Sequence, residues 1–185
     1  LLDEYPMFRF SQSQGAVYEI LERFSPDMIE EIRPYVAGDR WELAATQWTE
    51  ADMNLPNAES LLRQTTESVR YLSELFDQPR DAFRVAFMPD TFGHSAATPE
   101  IFCEAGIRYV YHGRGSTGPF LSRWYAESGR SVLAYQDPRW YNETVRPDLI
   151  GHAAEIANEY RVRDVLLVYG VGDHGGGPTA ELIEW

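Results

Sequence analysis

Cysteine is almost absent from this chain of 185 residues, since Cys103 is the only one. A single cysteine excludes an internal disulfide and any zinc module built from several cysteines. It also fits a reducing compartment, so we expect a cytoplasmic protein. We interpret Cys103 itself as a buried structural thiol, because free cysteines pack like small apolar side chains.

Positive charge and long apolar runs are scarce as well. The 16 Lys and Arg residues are outnumbered by 29 Asp and Glu residues, which gives a formal net charge of −13. Nucleic acids and acidic membrane surfaces both need a basic protein face, so neither is an expected partner. No stretch approaches the roughly 20 consecutive apolar residues of a membrane span, and no secretory segment opens the chain.

The apolar content, at 44% of residues, is sufficient for a folded interior. Three apolar runs, 84–87, 108–111 and 164–169, do not alternate with polar residues, which is typical of buried parallel strands. Strands alternate with amphipathic segments, and this order predicts an α/β fold. Besides those runs, the patterns predict strands at 7–10 and 41–45, a hairpin of 120–127 with 131–135, and helices at 16–24, from Ser25-Pro26 onward, at 57–76, near 99–105 and at 148–160.

Polar and glycine-rich segments follow four of the predicted strands. Parallel strands present their carboxyl ends at one edge of a sheet, where loops build functional sites. Glu50 or Asp52 alone is best interpreted as a helix cap or a solvated side chain. The concentration of these segments at one edge nevertheless predicts a site assembled from several loops, namely 47–54, 88–95, 112–114 and 172–178.

Two glycine patterns, 113–118 and 170–175, match G-x-G-x-x-G. A dinucleotide fingerprint opens the first βαβ unit and carries an acidic residue roughly 20 positions later. The first pattern precedes a predicted hairpin, and the second lies too near the end of the chain for that acid. We therefore do not expect a nucleotide site.

Asp90 and His174 are better candidates for metal binding. Zinc accepts carboxylate oxygen and imidazole nitrogen and usually takes three or four ligands from protein. The glycines around His174 would let a ligand approach the backbone. Two ligands make only half a site, so either the site is incomplete or the other ligands lie outside this chain.

Three motifs stand out along the chain, namely Trp48–Pro56 with Glu59 and Gln64, Pro89–Ser95 with Pro99, and Tyr169-Gly170 with Gly172–Thr179. In order and spacing they resemble the catalytic domain of the glycoside hydrolase family 38 α-mannosidases, most closely the cytosolic and bacterial branch. The resemblance implies a barrel-like parallel β/α fold of about seven strands. It also implies retaining hydrolysis of terminal α-mannosides with one divalent metal, most commonly Zn²⁺, and a mannose-containing oligosaccharide as substrate.

The resemblance carries roles to individual positions. Asp90 matches the family's aspartate that is both nucleophile and metal ligand, and His174 matches a metal-ligand histidine. Phe92 and Arg114 fall where the family places sugar-contacting residues, and Asp173 is a further candidate for substrate binding. The general acid/base stays open among three carboxylates without a motif, Asp137, Glu143 and Asp148.

The family's early histidine-x-aspartate motif does not occur before Phe10. We therefore expect 1–185 to be a partial catalytic domain, incomplete at the N-terminus, with the first metal-ligand strand and the C-terminal β-rich domains outside the chain. An opposing hypothesis follows from the same observation, namely a catalytically silent carbohydrate-binding or structural fragment with an incomplete metal site. A homo-oligomer is a further possibility that the sequence leaves open.

Overall fold

A computed structural model describes residues 1–44, 47–115, 119–139, 141–170 and 177–184. The chain divides into two compact units, Leu2–Gln136 and Asp137–Trp185. Within the described ranges, no helix is both long and apolar enough to cross a bilayer.

The first unit alternates strands and helices, as the sequence predicted. Its elements are β1 (Phe10–Gln12), α1 (Gly15–Phe24), α2 (Pro26–Ala37), β2 (Trp41–Leu43), α3 (Ala58–Phe76), a 3₁₀ turn (Arg80–Ala82), β3 (Val85–Met88), α4 (Thr98–Glu104), β4 (Tyr109–His112), β5 (Leu121–Tyr125) and β6 (Ser131–Gln136). The second unit contains α5 (Leu149–Tyr160) and α6 (Ala180–Ile183).

The strands of the first unit form two sheets. β1 and β2 pair in parallel, and the larger sheet has the order β3-β4-β6-β5. β3, β4 and β6 are parallel, whereas β5 and β6 form the predicted antiparallel hairpin, with Gly129 at φ +86° in its turn. The parallel α/β arrangement is therefore confirmed. The described strands belong to two small sheets, so the barrel of about seven strands stays a prediction.

The prediction of a strand at 164–169 is wrong, because the structure has no strand there. Among the described residues, the backbone of this run pairs through one parallel bridge, between Glu143 and Tyr169. The Gly170 N–H next to it donates to the Glu143 carbonyl at 3.1 Å. Leu166 remains 48% exposed. A strand needs a continuous ladder of hydrogen bonds with a neighbour, and apolar composition alone does not supply one. The first strand also begins later than predicted, at Phe10 rather than Met7.

Helix α3 shows why the predicted helix boundaries hold. The Asn57 side chain accepts a hydrogen bond from the Ser60 N–H at 2.8 Å, which caps the first turn. Asp77 ends the helix in the left-handed conformation, at φ 51°. Between these ends, apolar residues three and four positions apart lie on one buried stripe.

Two apolar clusters make the interior of the first unit, and α3 contributes to both. One lies among α1, α2 and α3 and includes Leu72, which is fully buried. The other lies against the larger sheet and includes Leu61 together with residues of β3, β4 and β6. Cys103 packs at the margin of this second cluster as a free thiol, partly rather than fully buried.

Leu72→Ala tests the first cluster. We expect the free energy of unfolding to fall by about 2–5 kcal/mol, because the substitution removes buried methyl groups and leaves a cavity. Ile20→Ala on the neighbouring helix α1 is the control, since Ile20 is 52% exposed, and its expected cost is below about 1 kcal/mol. Urea denaturation of the chain measures both, and equal losses would contradict the assignment of this core.

Candidate functional site

Parallel pairing of β3 with β4 brings two of the predicted site segments together. Met88 at the end of β3 pairs with His112 at the end of β4. The residues that follow, Asp90 and Arg114, therefore leave the sheet at the same edge. This confirms the expectation that these polar loops meet at the carboxyl ends of the strands.

Asp90, Arg114 and Phe92 form one cluster at this edge. The Arg114 Nε–H donates to Asp90 Oδ1 at 2.5 Å. The Arg114 guanidinium carbon lies 4.6 Å from the centroid of the Phe92 ring. The Asp90 side chain is 45% exposed and Phe92 is 78% exposed, so a carboxylate and an aromatic face are accessible side by side. The other two predicted site residues, Asp173 and His174, lie outside the described residues.

Glu50 joins this cluster from the predicted site segment 47–54, although Glu50 taken alone is best interpreted from the sequence as a helix cap or a solvated residue. Its Oε1 accepts hydrogen bonds from the Asp90 backbone N–H at 2.7 Å and from the Thr91 hydroxyl at 3.1 Å. Burial of the Glu50 carboxyl raises its pKa, and the Asp90 and Thr91 donors offset part of that effect. The interpretation of Glu50 as a helix cap or a solvated residue is therefore wrong.

Asp52, two positions later, behaves as interpreted. Its Oδ1 accepts from the backbone N–H groups of Leu55 and Asn54, and these hydrogen bonds lower the pKa of the exposed Asp52 carboxyl. The sequence pattern does not distinguish the carboxylates of Glu50 and Asp52. Their different roles depend on residues that are distant in the chain.

The loop that contains Glu50 also touches the Asp90 loop at its other end. Met53 and His94 form a parallel bridge, and the Ser95 N–H donates to the Met53 carbonyl at 3.3 Å. A Cβ atom at Gly93 would lie 2.6 Å from the Asn54 side-chain nitrogen, so the Asn54 side chain lies close to the Gly93 backbone and would have to shift for a larger residue. We call residues 47–54 the supporting loop and residues 89–95 the Asp90 loop.

Two histidines and a tryptophan lie beside the Asp90 loop. The ring centroids of His94 and His112 are 5.1 Å apart, and that of Trp124 is 5.5 Å from His94. His112 Nδ1 lies 2.9 Å from the Arg114 carbonyl, which only accepts, so Nδ1 carries the proton. Burial lowers the pKa of both rings, with that of His94 at about 4. Both imidazoles are therefore neutral near pH 7, and they line a cavity of about 350 Å³ with Trp124.

The described residues supply only part of a set of metal ligands. Asp90 supplies a half-exposed carboxylate, an oxygen donor that zinc accepts. Within the part of the chain that the structure describes, no three His, Cys, Asp or Glu side chains gather to hold an ion. The residues present thus fit one position of a zinc site.

The three candidates for the general acid/base lie in the second unit, where each has partners. Asp137 Oδ1 accepts from the Arg139 backbone N–H at 2.9 Å. Glu143 and Asp148 lie 3.8 Å and 2.9 Å from the Arg146 guanidinium. These contacts do not single out one carboxylate.

Comparison with known proteins finds the same family over the entire chain. The family described as glycosyl hydrolases family 38 N-terminal domain matches residues 1–185. Alpha-mannosidase G of Dictyostelium discoideum is 30% identical over 191 residues, covering 99% of this chain and 17% of the relative. Alpha-mannosidase 2C1 of Homo sapiens is 26% identical, covering 100% of this chain and 18% of the relative. The chain thus spans less than a fifth of the length of these relatives.

Solved structures support the fold. A crystal structure of an alpha-mannosidase from Enterococcus faecalis V583 superimposes with a TM-score of 0.75 at 18% identity, over 96% of this chain and 22% of that one. The 4-alpha-glucanotransferase of Thermococcus litoralis gives a TM-score of 0.66 at 16% identity, over 98% of this chain and 30% of that one. At these identities the likeness concerns the fold alone.

Burial of the His94 ring nitrogens predicts a loss of stability in mild acid. Its pKa is about 4 in the folded chain and 6.5 ordinarily, so between these values the unfolded chain binds a proton that the folded chain excludes. The free energy of unfolding therefore falls as pH drops from 6.5 to 4, by up to roughly 3 kcal/mol for this group. His94→Phe keeps an aromatic ring and removes the titratable group. We expect it to reduce the dependence of the free energy of unfolding on pH between 6.5 and 4.

Urea denaturation at a series of pH values measures the difference between wild type and His94→Phe. Ile20→Ala, which changes no titratable group, is the control and is expected to retain the wild-type loss. An unchanged slope in His94→Phe would contradict the assignment.

Proposed function

Since the chain belongs to glycosyl hydrolase family 38 as its N-terminal domain, we propose that it supplies the nucleophile of an α-mannosidase that hydrolyses terminal α-mannosides of glycans. The observation that carries this proposal is the cluster of Asp90, Arg114 and Phe92 at the carboxyl ends of β3 and β4. The accessible Asp90 carboxylate supplies one of the two carboxyl groups that glycoside hydrolysis uses, and the exposed aromatic ring beside it suits the apolar face of a sugar.

Asp90 acts as the nucleophile in a retaining mechanism. One carboxylate oxygen forms a bond to the anomeric carbon while the bond to the leaving oxygen breaks, and a carboxylic acid gives that oxygen its proton. Water then attacks the anomeric carbon, the same acid/base takes the water's proton, and Asp90 leaves as a carboxylate. Each of the two displacements inverts the anomeric carbon, so the product retains the configuration of the substrate. The acid/base, for which Asp137, Glu143 and Asp148 remain the candidates, has to lie about 5–5.5 Å from Asp90.

Arg114 and Phe92 prepare the site for this attack. The hydrogen bond from Arg114 Nε to Asp90 Oδ1 fixes the plane of the carboxylate, so that less orientation has to be gained in the transition state. The exposed Phe92 ring offers its face to the apolar C–H patches of a sugar ring. Asp173 would contribute a hydrogen bond to a sugar hydroxyl.

Asp90 and His174 would be ligands of a divalent metal, and Zn²⁺ is the ion that suits oxygen and nitrogen donors of this kind. When bound, zinc supplies a Lewis acid that polarises sugar hydroxyls. We further propose that the parallel sheets belong to a barrel-like β/α domain and that the protein acts in the cytoplasm. The alternative function, a catalytically silent carbohydrate-binding or structural fragment, shares the fold and differs in lacking turnover.

Asp90→Asn in the protein that carries this chain tests the nucleophile. We expect kcat for an aryl α-mannoside to fall by at least about 1000-fold, because the amide cannot form the glycosyl ester. Folding should persist, since the half-exposed ion pair with Arg114 contributes little stability. Asp81→Asn, at a side chain that is 80% exposed, is the control and should keep wild-type activity. Turnover by Asp90→Asn at the wild-type rate would exclude the proposed role.

Metal removal tests the proposed zinc ligands. Chelation is expected to abolish hydrolysis of the aryl α-mannoside, and added Zn²⁺ is expected to restore it. His174→Ala should weaken zinc binding, measured by calorimetry on the metal-free protein, by at least about 10-fold. His152→Ala is the matched control. Full activity in the chelated protein, or unchanged zinc affinity in His174→Ala, would contradict the metal assignment.

A further inference from the structure

We propose that Glu50 is a positioning residue for Asp90, an inference that rests on the proposed function. One carboxylate oxygen of Glu50 accepts both the Asp90 backbone N–H, at 2.7 Å, and the Thr91 hydroxyl, at 3.1 Å. Glu50 thus holds the main chain of the nucleophile and the side chain of the next residue from a loop 40 positions earlier in the chain.

These two hydrogen bonds control where the Asp90 carboxylate lies. The amide nitrogen and the following residue flank the Cα atom of Asp90, so fixing both restricts the backbone rotation that would swing the side chain. The carboxylate is then held at its far end by Arg114 Nε at 2.5 Å. A displacement of about 1 Å between reacting groups reduces a rate by roughly 100-fold, so this anchoring matters for kcat.

The contact between Glu50 and Asp90 is suited to this task. A backbone N–H that donates to a carboxylate forms a stronger hydrogen bond than one that donates to a neutral acceptor. Thr91 is buried, with 4% of its surface exposed, so its hydroxyl has little access to water if Glu50 is removed. Removing the Glu50 side chain therefore takes the acceptor away from both donors.

The remainder of the supporting loop is held independently of Glu50. Met53 is fully buried and forms the bridge with His94, while its carbonyl accepts from Ser95. The far end of the Asp90 loop therefore stays in place when the Glu50 side chain is removed. We accordingly expect Glu50 variants to fold and to lose the constraint at Asp90 alone.

Steady-state kinetics with an aryl α-mannoside test the inference in the protein that carries this chain. Glu50→Ala should lower kcat by about 10- to 100-fold and leave KM within about twofold, because the reacting geometry is disturbed while sugar contacts remain. Glu50→Gln keeps an acceptor oxygen and should retain kcat within about threefold. Glu59→Ala removes a carboxylate that is 72% exposed and paired with Arg63; it is the control and should behave as wild type.

Hydrogen–deuterium exchange of the peptide 88–95 supplies a readout that is independent of turnover. The Asp90 amide should be protected in the wild type, in Glu50→Gln and in Glu59→Ala, and should exchange at least about 10 times faster in Glu50→Ala. Thr91→Val removes only the hydroxyl donor. It should leave the Asp90 amide protected and lower kcat by less than about threefold, because the Asp90 N–H still donates to Glu50. Faster exchange of the Asp90 amide in Thr91→Val than in the wild type would contradict the assignment of Glu50 as its acceptor.

The outcomes separate this inference from the proposed function. Wild-type kcat in Glu50→Ala, a Glu50→Gln variant as impaired as Glu50→Ala, or rapid exchange of the Asp90 amide in the wild type would each overturn the positioning role. Such a result alongside an inactive Asp90→Asn variant would leave the proposed function intact. An inactive wild-type protein would overturn the proposed function and this inference with it.

Discussion

The site depends on the register of one strand pair. Met88 lies opposite His112 in the parallel ladder of β3 and β4, and this pairing sets Asp90 and Arg114 at equal distances past the ends of their strands. A slip of one residue would turn every side chain of the slipped strand to the other face of the sheet and move Arg114 away from Asp90. The apolar residues of β3 and β4 that pack into the second core cluster hold this register. Core packing and site geometry are thus two results of the same pairing.

Around that pair, the polar loops are held by contacts rather than by regular structure. The supporting loop meets the Asp90 loop at Glu50, at Asn54 and at Met53. Glu50 accepts hydrogen bonds through its carboxylate, Asn54 lies close to Gly93, and Met53 forms a backbone bridge with His94. On the other side of the Asp90 loop, the His112 side chain is buried and its Nδ1–H donates a hydrogen bond to the Arg114 carbonyl. Function-bearing loops on a rigid sheet are a general solution, because the sheet supplies order that the loops lack by themselves.

Helices were the most predictable elements. The Asn57 cap and the apolar stripe of α3 are both local in the chain, so they can be recognised without the fold. The run 164–169 illustrates the opposite case, since a strand exists only where a partner is aligned with it, and that partner is not visible in the run itself. The barrel-like closure and the roles of Asp173 and His174 remain predictions from the sequence.

The amino-acid sequence by itself determined the order of the elements of the first unit, the α/β class and the motif that contains Asp90 and Phe92, because periodicity, capping and a short motif act over a few residues. Tertiary structure decided which charges meet. Arg114 lies 24 positions from Asp90 and Glu50 lies 40 positions from it, and nothing local distinguishes Glu50 from Asp52. Only the folded sheet brings the Glu50 carboxylate and the Arg114 guanidinium, among many similar groups, to Asp90, since a hydrogen bond requires a separation of about 3 Å that chain distance does not predict.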